Sequence, residues 1–214
     1  MEAPIPTPIF RIMHVENLAT CLQRGALHAP KHVPSDGLKY KTIHNVDIQQ
    51  QRRVMPIDCG PGGCIHDYVS FYFGPRSPML YQLHTGWVEG YDEGQEPIIY
   101  IVSHAQVMCN NEQGFVFSDG HGIAAYTDWY DDLALLHNLD WDCIYAEIWK
   151  DDLDHPDRQR RKQAEFLVYR SCPWDLVDHI AVLNNGMKKK VVSIMEQYPD
   201  KLQKPVRVCR KWYY

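Results

Sequence analysis

HDYVSFYFGPRSPMLY, residues 66–81, is the stretch on which the fold turns. Its first half, Tyr68–Phe73 (YVSFYF), is rich in aromatic and β-branched residues and predicts a strand. Two-residue alternation puts Phe71 and Phe73 on one face and Tyr72 on the other, toward a cleft. Gly74-Pro75 breaks that strand, and Pro78 opens a predicted helix, Pro78 to His84, at a position where its missing N–H costs nothing.

The same reading extends outward in both directions. Toward the N-terminus, Pro8 to His14 predicts a short strand. A helix from about Val15 to Arg24 follows, with Leu18 and Leu22 on one face and Gly25 as its stop. Residues 26–42 read as a loop, Asn45–Arg53 as a short polar helix and Cys59–Gly63 (CGPGG) as a turn. Toward the C-terminus, Ile98–Val102 is a buried strand and Phe115–Phe117 another. A long, weakly patterned stretch runs from Gly122 to about Lys162. Glu165–Tyr169 and Val177–Leu183 are strands, Met187–Tyr198 is a helix and Val206–Cys209 a last strand. Short strands with a few helices between them predict an α+β chain around a mixed, largely antiparallel sheet. There is no βαβ rhythm, no GxGxxG and no GxxxxGK[ST], which argues against the common nucleotide-binding folds.

Composition narrows the function classes. A chain of 214 residues suits one domain spanning 1–214. The net charge of −5 and sequence pI near 6.1 argue against a general nucleic-acid coat protein but leave room for a local basic groove. Charges segregate: acids at Asp128–Asp132 and Asp151–Asp157, bases at Arg158–Lys162 (RQRRK), Lys188–Lys190 and Lys201–Lys211. Seven cysteines without a CxxC, and histidines without an HExxH, give no disulfide framework and no metal motif, so no metal is expected. No run approaches the roughly 20 apolar residues of a membrane span. The start, MEAPIPTPIF, has neither the basic nor the apolar part of a signal peptide, so a cytoplasmic location is expected.

IFRIMHVENL (9–18), HDYVSFYFGPRSPMLY (66–81), QEPIIYIVSHAQ (95–106), FVFSDGHG (115–122) and KQAEFLVY (162–169) occur in order. Together they resemble the DarT family of DNA ADP-ribosyltransferase toxins over essentially the whole chain. The resemblance implies an ADP-ribosyltransferase-like split mixed β-sheet with flanking helices. It implies transfer of ADP-ribose from NAD, as co-substrate, to a base of single-stranded DNA, thymine by the family's habit, with release of nicotinamide. It also implies a macrodomain antitoxin partner of the DarG type, and no membrane partner.

Residue roles follow from that resemblance beside the chemistry of each side chain. Glu165, expected at a sheet edge facing a cleft, is the catalytic carboxylate that supports positive charge as nicotinamide leaves. Arg52 is the catalytic arginine, with Arg53 as the alternative. A guanidinium is a poor proton acceptor, so Arg52 is also read as a phosphate ligand of NAD. Met13, His14 and Asn17, at a strand-to-helix junction, are candidate NAD contacts, with Leu22 as an apolar wall and Tyr72 as a stacking ring. His121, Arg158, Arg160, Arg161 and Lys162 are candidate DNA contacts. They accompany Trp129, Tyr130, Trp141, Tyr145 and Trp149, which serve either as base-stacking surfaces or as core. Alternatives kept open are modification of guanine, RNA or protein, NAD hydrolysis without an acceptor, and a catalytically silent NAD- or nucleic-acid-binding module.

Overall fold

A computed structural model describes residues 1–214. In chain order its elements are β1 (Pro8–His14), α1 (Asn17–Arg24), β2 (Ala26–His28), α2 (Val46–Val54), β3 (Tyr68–Tyr72), α3 (Pro78–Thr85), β4 (Ile98–His104), α4 (Ala105–Asn110), β5 (Phe115–Ser118), β6 (Trp129–Tyr130), α5 (Trp141–Tyr145), α6 (Arg158–Arg161), β7 (Glu165–Tyr169), β8 (Ser171–Pro173), β9 (His179–Val182), α7 (Asn185–Met195) and β10 (Val206–Val208). Eight strands form one sheet in the order β10-β9-β4-β1-β3-β7-β5-β6, while β2 and β8 pair separately. Every neighbouring pair is antiparallel except β9 with β10. The α+β class and the mixed, largely antiparallel sheet are as the strand pattern predicted. No helix is long and apolar enough to cross a membrane.

The sheet is split beside the aromatic strand. β1 pairs with β4 along its whole length, from Pro8↔His104 to His14↔Ile98. Toward β3 it shares a single pair, Phe10↔Tyr72. Across the remaining gap the Arg11 side chain reaches over, its Nη1 donating to the Ser70 carbonyl at 2.8 Å.

Alternation on β3 and β7 sorts core from cleft. Phe71, Phe73 and Phe166 turn to one face and are buried there with Phe117 and Trp141. The Phe73 ring meets those of Phe117, Trp141 and Phe166 edge-on at 5.4–6.0 Å, a favoured aromatic geometry. Ser70, Tyr72 and Glu165 turn to the other face, and the register Tyr72↔Glu165 sets the last two side by side. β7 lies between β3 and β5, so the expected sheet-edge position of Glu165 is corrected to the first residue of an interior strand.

Local signals explain several helix ends. Gly25 closes α1 in the left-handed region at φ 67°, a conformation that glycine adopts without strain. The Asn45 side chain accepts from the Asp47 and Ile48 amides at the start of α2, and Ser77 caps α3 just ahead of Pro78. Three of these elements, β2, β8 and α4, were invisible in the sequence. β2 and β8 are three residues each, too short to show alternation, and β2 falls in the stretch read as loop. α4 follows β4 with no breaking residue between them.

The weakly patterned stretch folds back on the sheet. Trp141 is core rather than a stacking surface, its indole Nε1 donating to the Leu136 carbonyl at 2.8 Å. Lys162 is corrected in the same way. It is 4% exposed, and its Nζ donates to the Ile144 and Ala146 carbonyls at 2.6 and 2.9 Å. A cation held there fastens the loop and has no free donor face for a phosphate. Burial pushes its pKa down to about 8 from 10.5. Between those values the unfolded chain keeps a proton that the folded chain has released, so stability rises with pH through that window and is flat below it. The stability of the wild type minus that of Lys162→Met should therefore climb from pH 8 to 10.5, by on the order of 3 kcal/mol in full. Denaturant melts at several pH values check this, and parallel curves for the two proteins contradict it.

Candidate active site

The split opens into a cavity of about 520 Å³. Its wall brings together Arg11 and Met13 of β1, Asn17 of α1, Ser70 and Tyr72 of β3, Arg52 of α2, Glu165 of β7 and His121. α2 presents Asn45, Ile48, Gln49 and Arg52 to it, positions three, four and seven residues apart that share one helical face. Arg53 falls on the other side and is exposed, which leaves Arg52 as the inward arginine.

Arg52 and Glu165 form a bidentate pair. Nη1 donates to Oε1 at 2.8 Å and Nη2 to Oε2 at 2.6 Å. Arg52 is 8% exposed and Glu165 2%, so both charges lie largely out of water. The carboxylate also accepts from the Gly122 amide at 3.2 Å, and Arg52 Nη2 donates to Ser70 Oγ at 2.8 Å. Burial alone would raise the Glu165 pKa. The charge and two hydrogen bonds of Arg52 outweigh burial and hold it below the usual glutamate value. Glu165 is therefore ionised at neutral pH, a fixed negative charge on the cavity wall.

His121 lines the same space. Burial holds its imidazole below the ordinary histidine value, with Arg52 acting in the same direction and Glu165 opposing. A neutral ring beside an ionised carboxylate can accept a proton that neither Arg52 nor the low-pKa Glu165 can. The Tyr72 hydroxyl lies 3.8 Å from the Met79 sulfur, and both residues face the cavity. The alternation read from YVSFYF therefore places Tyr72 as expected.

Met13 lines the cavity, where it was expected. Asn17 does too, but its amide is engaged by one backbone unit: Oδ1 accepts from the Lys41 amide at 2.7 Å and Nδ2 donates to the Lys41 carbonyl at 2.9 Å. It thereby ties the 26–45 segment over the site. His14 is 1% exposed and stands behind the wall. Its Nδ1 accepts from the Glu16 amide at 3.2 Å and its Nε2 lies 3.3 Å from Glu93. Leu22 does not form the expected wall: it is 1% exposed in the main core, and its neighbour Cys21 reaches the cavity.

The basic run divides by helical face. On α6, Gln159 faces the cavity and Gln163, one turn on, does too. Arg158 and Arg161 turn instead toward a separate depression of about 440 Å³. Each of the three arginines has a carboxylate partner: Arg158 with Asp152, Arg160 with Asp119 and Asp157, and Arg161 with Asp140. Arg160 also packs on Gly120, where a Cβ would collide with its guanidinium and side-chain stem. That contact explains the glycine in FVFSDGHG and makes Arg160 a brace for the loop carrying His121. Sequence reasoning missed Ser70 and Arg11. The signals were present: a small polar residue on the Tyr72 face of β3, and a lone cation inside the apolar run of β1.

Comparisons with known proteins identify the family and the fold. A family model described as "ssDNA thymidine ADP-ribosyltransferase, DarT" matches residues 10–214. A DNA ADP-ribosyl transferase of Thermus sp. (strain 2.9) is 41% identical over 211 residues, covering 99% of this chain and 98% of that one. A solved structure of Thermus sp. 2.9 DarT in complex with ADP-ribosylated ssDNA superposes with a TM-score of 0.94 at 40% identity, over 100% of this chain and 99% of the other. A second, of Thermus sp. 2.9 DarT in complex with NAD+, gives 0.89 at 39% identity over 99% of each chain. With the split sheet, the buried Arg52–Glu165 pair and a family match across nearly the whole length, the chain belongs to the DarT family of ssDNA ADP-ribosyltransferases.

Proposed function

We propose that residues 1–214 act as one ADP-ribosyltransferase domain that moves ADP-ribose from NAD to thymidine in single-stranded DNA. The observation that carries this reading is the ionised Glu165, fixed by Arg52 on the wall of a cavity open at the split of the sheet. The NAD+ and ADP-ribosylated ssDNA complexes of the Thermus sp. 2.9 relative support the choice of donor and acceptor.

The chemistry follows from the charges. As nicotinamide leaves, the electron pair of its glycosidic bond goes to the ring nitrogen, and positive charge develops on the ribose carbon. Glu165 stabilises that charge and accepts from the ribose hydroxyl next to the reacting carbon. A thymine ring nitrogen forms the new bond and gives up its proton. His121, neutral at the same wall, receives it. Arg52 keeps its proton and holds Glu165 in place, and Tyr72 and Met79 supply an apolar surface for a ring. A base has to leave its stack to enter, so a single strand is the less costly substrate. Surface arginines with nearby acids, Arg158 and Arg161 among them, are proposed to exchange those partners for backbone phosphates at the rim.

The reading extends to biology in two steps. NAD and DNA coincide in the cytoplasm of a bacterium, which is the proposed place of action. A chain that modifies its own cell's DNA acts as a toxin and needs a partner that removes the modification. A macrodomain antitoxin fits that need, as the family resemblance implies.

Intact-mass spectrometry of short oligonucleotides, each lacking one base, tests the assignment with purified protein and NAD. The expected result is one added ADP-ribose on every single strand except the thymine-free one, and none on the duplex. Adducts on RNA or on guanine alone, or NAD consumption without an adduct, would contradict it. Glu165→Gln should retain the fold and lower transfer by about 10²- to 10³-fold. Glu165→Ala should also lose roughly 3–5 kcal/mol of stability, because it leaves Arg52 buried without its counter-charge. Both follow from nicotinamide release and denaturant melts on the same preparations. For His121→Gln, transfer should fall about 10²-fold or more, while NAD affinity changes little. In the wild type kcat should stay level as pH drops through the ordinary histidine range and decline only below it. A decline centred on that ordinary value would remove His121 as the proton acceptor.

A further inference from the structure

Charge around the cavity does not balance. Arg52 is neutralised by Glu165, and Lys41, at the strap, pairs with Glu16 and Glu93. His28, His44, His66 and His121 face the cavity, and burial holds each below the ordinary histidine value, so all four are uncharged at neutral pH. Arg11 alone is a cation without a counter-charge. No carboxylate approaches it, and its one bond within the protein is from Nη1 to the Ser70 carbonyl. Its remaining donors belong to a half-buried side chain that lines the cavity.

A guanidinium kept in a largely enclosed space without an anion is costly, and such a group is retained where a ligand brings the missing charge. We propose that Arg11 is the anion subsite of the cavity and grips the diphosphate of the dinucleotide co-substrate. Its position fits that role. It stands at the gap where β1 leaves β3, and Ser70 links it to the reacting end: the Ser70 carbonyl takes Arg11 while its hydroxyl takes Arg52. A diphosphate held by Arg11 therefore sets the distance from the phosphates to Glu165. The remaining N–H groups suit an oxyanion pair, which accepts in the planar fork that a lysine cannot present. This inference rests on the dinucleotide reading above and adds to it the residue that fixes the donor.

Calorimetric titration of the wild type, Arg11→Gln and Arg11→Lys with ADP-ribose and with adenosine tests the proposal. Arg11→Gln keeps a donor for the Ser70 carbonyl and removes the charge. It should weaken ADP-ribose by roughly 10- to 100-fold, leave adenosine unchanged and raise KM for NAD more than it lowers kcat. Arg11→Lys should recover part of the loss. Inorganic pyrophosphate should displace ADP-ribose from the wild type, a readout that does not depend on any variant folding. Failure of that displacement, or equal ADP-ribose affinity in wild type and Arg11→Gln, overturns the proposal. So does an equal loss for adenosine and ADP-ribose with a lowered melting temperature, which is the mark of a strut across the sheet gap. A loss confined to binding of a thymine oligonucleotide without NAD overturns it as well, by assigning Arg11 to a DNA phosphate. Wild type that binds neither ADP-ribose nor NAD overturns the dinucleotide reading itself, whereas the other outcomes leave that reading intact.

Discussion

The ion pair between Arg52 and Glu165 is the constraint on which the rest of the site depends. Two charges taken out of water repay their desolvation only if each is fully met, and a lone survivor of such a pair destabilises by about 3–5 kcal/mol. The chain meets both. Two parallel hydrogen bonds join the groups, and Gly122 and Ser70 supply further contacts. These contacts draw α2, β3, β7 and the 118–122 turn to one point. The same pair keeps Glu165 ionised on the cavity wall, where its charge is proposed to stabilise the positive ribose carbon left as neutral nicotinamide departs.

The split in the sheet supplies the space. A fully paired β1–β3 ladder would close the cavity, because the residues at the gap would then face each other across ordinary strand spacing. Pairing stops after Phe10↔Tyr72, and polar and cationic groups such as Arg11, Ser70 and Arg52 share the opening with apolar ones such as Met13 and Met79. On the opposite face of β3 and β7 the aromatic core of Phe71, Phe73 and Phe166 holds the strands rigid. One alternating strand thus serves both purposes. Side chains that point one way pack, and those that point the other way line the cavity.

Much of this was legible in the residues. YVSFYF foretold which face Tyr72 would take, and Gly25, Asn45 and Pro78 marked helix ends through backbone chemistry that acts locally. The identity of Glu165 came from family resemblance, since a glutamate opening a strand is unremarkable by itself. What escaped the sequence depends on long-range contact. Nothing in RQRRK tells that Lys162 is buried against two carbonyls, or that the arginines are each met by an acid from elsewhere in the chain. Nor does IFRIMH show that Arg11 lacks any such acid. Leu22 carried a helix-face prediction that was right about burial and wrong about the cavity, because α1 turns Cys21 to the opening instead.

A crystal structure of this protein with a non-cleavable NAD analogue tests the central claim most directly. The account predicts the dinucleotide in the split between β1 and β3, its nicotinamide-side ribose within hydrogen-bond distance of Glu165 and the Arg52–Glu165 pair intact. An analogue bound elsewhere, or bound in the cavity with its reacting ribose turned away from Glu165, would contradict it.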